Sequence, residues 1–176
     1  RTVFDDIIGS DEDGTYIIKR TWKGDAPLII EKYGNDMALQ KSVAVMLGEK
    51  EDNRIYQYAT QIDGVLILFS TVLDSRAKIN LLYAQTINKE TLTLNSKLIK
   101  IGAIEFAGKS KRNSGSFTYT ISYDEKKILI YYNLPYEKGE NEKFSYHIFD
   151  KDLNLLWEKN VTLPHENELL SVVDYD

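Results

Sequence analysis

Few residues in this chain are of types that do chemistry, and they are scattered along it. The densest group is Asp11-Glu12-Asp13-Gly14. Carboxylates so placed suit a hard cation such as calcium, which gathers several oxygen ligands. The spaced acidic ladder and the distant Glu of an EF-hand loop are absent, so the group reads as a hairpin turn. His147 and His165 are the only histidines. One lies in an apparent strand beside Tyr146, the other follows Pro164, and neither has a second His at a spacing that would build a metal centre. Ser114, Ser116 and Ser122 lack the Gly-x-Ser-x-Gly setting of a nucleophile elbow. With no cysteine, thiolate catalysis and thiolate metal binding are excluded. The expectation is no catalytic set, no cofactor and no metal.

Two other groups are suited to contact. Lys109, Lys111 and Arg112 form a basic patch in the polar loop 108–115, able to meet an acidic partner. Tyr131, Tyr132, Tyr136 and Tyr146 gather around one hairpin, and Tyr offers rigid, amphipathic area for a protein or glycan surface. Lys109, Lys111, Arg112, Tyr132 and Tyr136 are therefore the candidate partner contacts. A protein is the expected partner and a glycan the alternative. A net charge of −5 gives no reason to expect nucleic acid. The longest apolar run, Val65 to Phe69, is far short of the roughly 18 residues of a membrane span.

The elements that carry these residues repeat. Asp13-Gly14, Asp63-Gly64 and Asp124-Glu125-Lys126 each stand before an apolar run rich in strand formers, as hairpin turns do. A second polar turn follows each, at Tyr33 to Met37, Ile87 to Thr91 and Phe149 to Leu153, and both landmarks recur 50 to 62 residues apart. Four strands are expected in each of three units, approximately 2–47, 54–105 and 116–163, with 169–176 as the first strand of another. Met37 to Leu47 also matches a helical face. Its alignment with Leu153 to Leu163, at an offset of 116 that superposes Tyr33 on Phe149 and Val45 on Val161, favours a strand. Thr91 to Ile101 is expected as the fourth strand of the second unit, Pro164 as the end of the last strand, 135–142 as a projecting loop, and Trp22 and Trp157 as anchors between sheets. The chain starts and stops inside apparent strands, so more repeats are expected beyond both ends.

The third unit carries Ser122-Tyr123-Asp124-Glu125-Lys126 before its apolar strand, which resembles the Ser-x-Asp-Gly-Lys blade motif of TolB-like periplasmic β-propellers, with Glu in place of Gly. Asp13-Gly14 and Asp63-Gly64 keep part of that motif and lack its Lys. The resemblance implies an all-β fold of consecutive four-stranded antiparallel meander sheets, a partial β-propeller completed by further blades. It implies a non-catalytic scaffold that binds a protein partner in a bacterial envelope or exported assembly, periplasmic or extracellular. The alternative is the propeller domain of a hydrolase or lyase, or a glycan-binding module, with its active residues elsewhere.

Overall fold

The computed structural model describes residues 2–21, 27–48, 54–106, 113–135 and 138–166, and the regular elements among them are all β-strands. Runs of Ile, Val, Leu, Tyr and Thr supply them, side chains that pack well on a pleated surface. The first sheet takes β1 (Thr2–Asp11), β2 (Gly14–Thr21), β3 (Leu28–Tyr33) and β4 (Leu39–Val45) in that order. The second takes β5 (Ile55–Ile62), β6 (Val65–Asp74), β7 (Ile79–Ile87) and β8 (Ile99–Glu105). The third takes β9 (Ser116–Ile121), β10 (Ile128–Asn133), β11 (Asn141–Phe149) and β12 (Leu155–Glu166). Neighbours pair antiparallel. The chain is thus all-β, with consecutive four-stranded antiparallel sheets.

Equivalent turns join the third and fourth strands. Met37 N–H donates to Gly34 O at 2.8 Å and Gly34 N–H to Ala38 O at 2.9 Å; Leu153 N–H donates to Asp150 O at 3.0 Å and Asp150 N–H to Asn154 O at 3.2 Å. This is the expected offset of 116, and β4, with its competing helical pattern, is a strand. The second sheet has the same turn one residue longer, with Leu92 N–H to Asn88 O at 2.8 Å and Asn88 N–H to Thr93 O at 2.9 Å. Met37, Leu92 and Leu153 all adopt a left-handed backbone, at φ 59°, 60° and 62°. The turns between first and second strands differ by a step. A two-residue loop separates the paired Asp11 and Gly14 in the first sheet, and another separates Ile62 and Val65 in the second. Leu66 and Leu68 therefore stand where Thr15 and Ile17 stand, and Ile67 and Phe69 where Tyr16 and Ile18 stand.

Two compact units divide the chain, residues 1–72 with 81–102 and residues 73–80 with 103–176. In the first unit one apolar core joins Tyr16, Ile18, Leu28, Ile30 and Val45 of the first sheet to Tyr56, Ala59, Leu66, Leu68, Ile87 and Leu92. Hence the face of the first sheet bearing Tyr16 and Ile18, its far face, is covered by the face of the second sheet bearing Leu66 and Leu68, its near face. The one-residue shift in the turns places Leu66 and Leu68 on the face opposite to the one that Tyr16 and Ile18 occupy in their own sheet, so unlike faces of the two sheets meet. In the second unit, Ile128 and Ile130 are fully buried on one face of β10, and Leu129 and Tyr131 point to the other.

Three expectations need correction. The fourth strand of the second sheet begins at Ile99 rather than Thr91. Asn88 Oδ1 accepts the Glu90 and Thr91 N–H groups at 2.9 Å and bends the chain first, leaving only a bridge between Ile87 and Leu94. β12 runs past Pro164 to Glu166. Its register shifts between the Asn141 and Lys143 pairings, so the proline lies in a bulge on an outer strand, where its missing N–H costs nothing. Trp157 lies on that same outer strand and is 47% exposed rather than packed between sheets. Trp22 and 169–176 lie outside the described residues.

Candidate functional site

Each sheet carries a polar pair on its near face at equivalent positions of the second and third strands. In the first sheet, Lys19 Nζ and Glu31 Oε2 are 2.7 Å apart, Tyr33 O–H donates to the same oxygen at 2.7 Å, and Ser42 O–H donates to Oε1 at 3.3 Å. Burial alone would raise the Glu31 carboxyl, but these three donors outweigh it and hold it below the usual carboxylate range. In the second sheet the places of Lys19 and Glu31 fall to Ser70 and Gln85, bridged by Arg54: its Nη2 donates to Ser70 Oγ at 2.9 Å and to Gln85 Oε1 at 2.7 Å. The third sheet places Tyr132 and His147 there. Their rings stack at 4.2 Å, and Phe117 meets Tyr132 edge-on at 5.0 Å. Glu158 is the cross-strand partner of His147 and the counterpart of Ser42. Burial lowers the His147 pKa, with Glu158 opposing, and burial followed by the Glu158 charge raises that of Tyr132.

The first two of these can fix register, since Glu31, Ser70 and Gln85 find their partners inside a layer that is otherwise apolar. None places a nucleophile beside a base. Tyr132, expected on an exposed hairpin, is 4% exposed, because even-numbered residues of β10 point into the packed face. Lys109, Lys111, Arg112 and Tyr136 lie outside the described residues. His165 is exposed near the end of β12, on an outer strand and apart from the stacked pair.

The Asp11 turn has a different use from the calcium site weighed above. Asp11 Oδ1 accepts the Asp13 N–H at 3.0 Å, as a turn requires, and its Oδ2 pairs with Lys89 from the second sheet. Burial pushes the Asp11 carboxyl up, and Lys89 and the Asp13 N–H more than reverse it. Lys89 also stands 5.6 Å above the Tyr16 ring, and Lys41 Nζ donates to Glu90 O at 2.6 Å. The turn 88–92 thus latches the second sheet onto the first, with Leu92 entering the core. Tyr16 is buried beneath it, its pKa pushed up to about 12 by burial and then by Asp11 and Asp13. Among the described residues, no group of three or more His, Cys, Asp or Glu is disposed to hold a metal.

Two faces are covered only in part. On the near face of the first sheet, Ile17 is half-buried and Met37 is 66% exposed, whereas the equivalent Leu68 and Leu92 are fully buried. On the far face of the third sheet, Tyr131 and Phe144 are buried, Leu129, Tyr146 and Ile148 are half-buried and Trp157 is exposed, whereas Tyr16 and Ile30 at the places of Leu129 and Tyr146 are fully buried. Sequence reasoning missed both surfaces. The available signal was residue parity along the aligned repeats, which assigns each side chain to a near or far face.

No protein family matches the chain, and no curated protein is similar to it in sequence.

Proposed function

We propose that the chain is a non-catalytic interaction scaffold of blade-like sheets, part of a β-propeller of the TolB-like kind, and that it binds a protein partner through the far face of its third sheet. The observation that carries this reading is the exposure of Trp157 beside the half-buried Leu129, Tyr146 and Ile148 on one face of a hydrogen-bonded sheet. Aromatic side chains held by rigid strands give large contact area at low entropic cost, and Trp and Tyr are enriched where protein interfaces concentrate their energy. An exported or cell-envelope setting fits the blade resemblance. Replacing Trp157 with a photo-crosslinking phenylalanine analogue and irradiating cells that produce the full chain tests the reading. Attachment of a discrete polypeptide at this position, and none from a probe at the exposed Tyr123, is the expected result. No attachment at position 157 would overturn it.

A further inference from the structure

We infer that Asn160 is the acceptor of an N-linked glycan. The inference rests on the exported setting proposed above and adds a modification to it. Asn160-Val161-Thr162 has the form Asn-x-Ser/Thr, with x other than Pro, that N-glycan transferases read, and no other Asn of the chain has Ser or Thr two residues on. The triplet lies in β12, an outer strand that among the described strands is bonded to β11 alone. Side chains two apart on a strand share a face, so Asn160 and Thr162 stand in one row, their Cα atoms about 7 Å apart. Both are exposed, as is Glu158 two residues before, whereas Val161 between them is half-buried. An enzyme that must reach the amide and the hydroxyl together meets both on one open side of the extended chain.

The surroundings of Asn160 suit the transfer. Ser145, its cross-strand partner, donates its O–H to Asn160 Oδ1. The amide is thus held by its oxygen, and Nδ2, the atom that takes the sugar, is on its other corner. Directly after Thr162 the ladder is interrupted, since Lys143 pairs with Thr162 and Asn141 with Glu166, and Pro164 within the interruption has no N–H to give. The segment can lift from β11 at this point without breaking a continuous ladder. The donor is a lipid-linked oligosaccharide pyrophosphate. A bond forms between Nδ2 and C1 of the first sugar, the C1–O bond to the pyrophosphate breaks, the lipid pyrophosphate leaves with the electron pair, and the amide gives up one proton. The Glu158 carboxylate, in the same row, offers a grip to a cationic group of the enzyme. Asn160 and Glu158 lie on the near face, opposite Ser145 and His147, while Trp157 lies on the far face, opposite Ile148. A glycan here leaves the Trp157 surface open to its partner.

The test directs the full chain, behind a removable secretion leader, through cells that make an N-glycan transferase and its donor, and weighs the product intact by mass spectrometry. One oligosaccharide increment above 20.3 kDa is expected, and fragmentation should place it on Asn160. Asn160→Gln and Thr162→Val should each lose the increment and Thr162→Ser should keep it. Both positions are exposed, so the fold is retained and circular dichroism verifies it. Thr162→Val is the sharper variant, because it keeps the branched shape that suits a strand and removes only the hydroxyl. Glu158→Gln should lower occupancy at least about threefold. An exported chain without the increment, or an increment that survives Thr162→Val, overturns the inference. Unchanged occupancy in Glu158→Gln overturns the grip assigned to that carboxylate. The chain isolated from its own cells should carry the same increment. If it carries none while the leader-directed chain does, the acceptor stands and the exported setting falls, and the crosslink at position 157 reads the scaffold separately.

Discussion

The left-handed residues of the three equivalent turns predict an inverted order of stability. A side chain makes this conformation costly by about 1–2 kcal/mol, which Gly avoids. Gly in turn adds freedom to the unfolded chain, at a cost of about 0.5–1 kcal/mol. At Met37, which is 66% exposed and has little burial to lose, Met37→Gly should stabilise the monomer by about 0.5–1 kcal/mol. Leu92 has the same backbone and is fully buried, so Leu92→Ala keeps the conformational cost and loses about 2–5 kcal/mol of packing. Leu92→Gly should recover about 0.5–1 kcal/mol of that, although Gly inside a strand is ordinarily worse than Ala by as much. Urea denaturation followed by far-ultraviolet circular dichroism measures all three, at protein concentrations low enough that self-association adds nothing. The expected midpoints rank Met37→Gly above wild type, and Leu92→Gly above Leu92→Ala. If Leu92→Gly unfolds before Leu92→Ala, the left-handed backbone stores no cost there and the reasoning fails.

Lys19→Met should destabilise the fold by about 1.5–3 kcal/mol, because it leaves the buried Glu31 carboxylate without its cation. Glu31 is held below its ordinary value of 4.5, so its contribution is full above pH 4.5 and fades as pH falls through the lowered value. Glu31→Gln should accordingly flatten the acid limb of a plot of denaturation midpoint against pH, and an unchanged limb would show the carboxylate to be irrelevant. His147 is held below 6.5, so the stability of its neutral ring is full above pH 6.5 and is lost as pH falls through the depressed value. His147→Phe should remove that loss in melting curves taken between about pH 7 and about pH 5, and a loss equal to that of wild type would contradict the assignment. At Gly9 an added Cβ would stand 2.5 Å from Gln61 Cβ, so Gly9→Ala should cost about 1–3 kcal/mol in the same denaturation assay. A variant as stable as wild type would show that β1 and β5 can separate freely.

The strands were legible because turn chemistry and apolar runs agree. Asp63-Gly64 forms the two-residue loop its sequence suggests, with positive φ at both residues. The strand identity of β4, locally ambiguous, followed from its likeness to β12. What escaped was set by position within a sheet rather than by residue type. Trp157 looks like a core residue and is exposed because β12 is an outer strand. Tyr132 looks like a surface residue and is buried because the second strand of each sheet is interior, with Ile128, Ile130 and Tyr132 packed together on one face of β10. Pro164 reads as a terminator and is accommodated by a bulge that only the pairing with β11 reveals. The open faces could not be seen from composition, since Ile17 and Leu68 are alike as residues and differ only in whether a neighbouring sheet lies over them.

The register shifts at β1, β4, β5 and β12 bear on how this molecule can grow. A straight outer strand is a template for lateral ladder extension, the geometry of amyloid, and a bulge interrupts the template and twists it away. Bulges on four of the boundary strands therefore disfavour growth in the hydrogen-bonding direction.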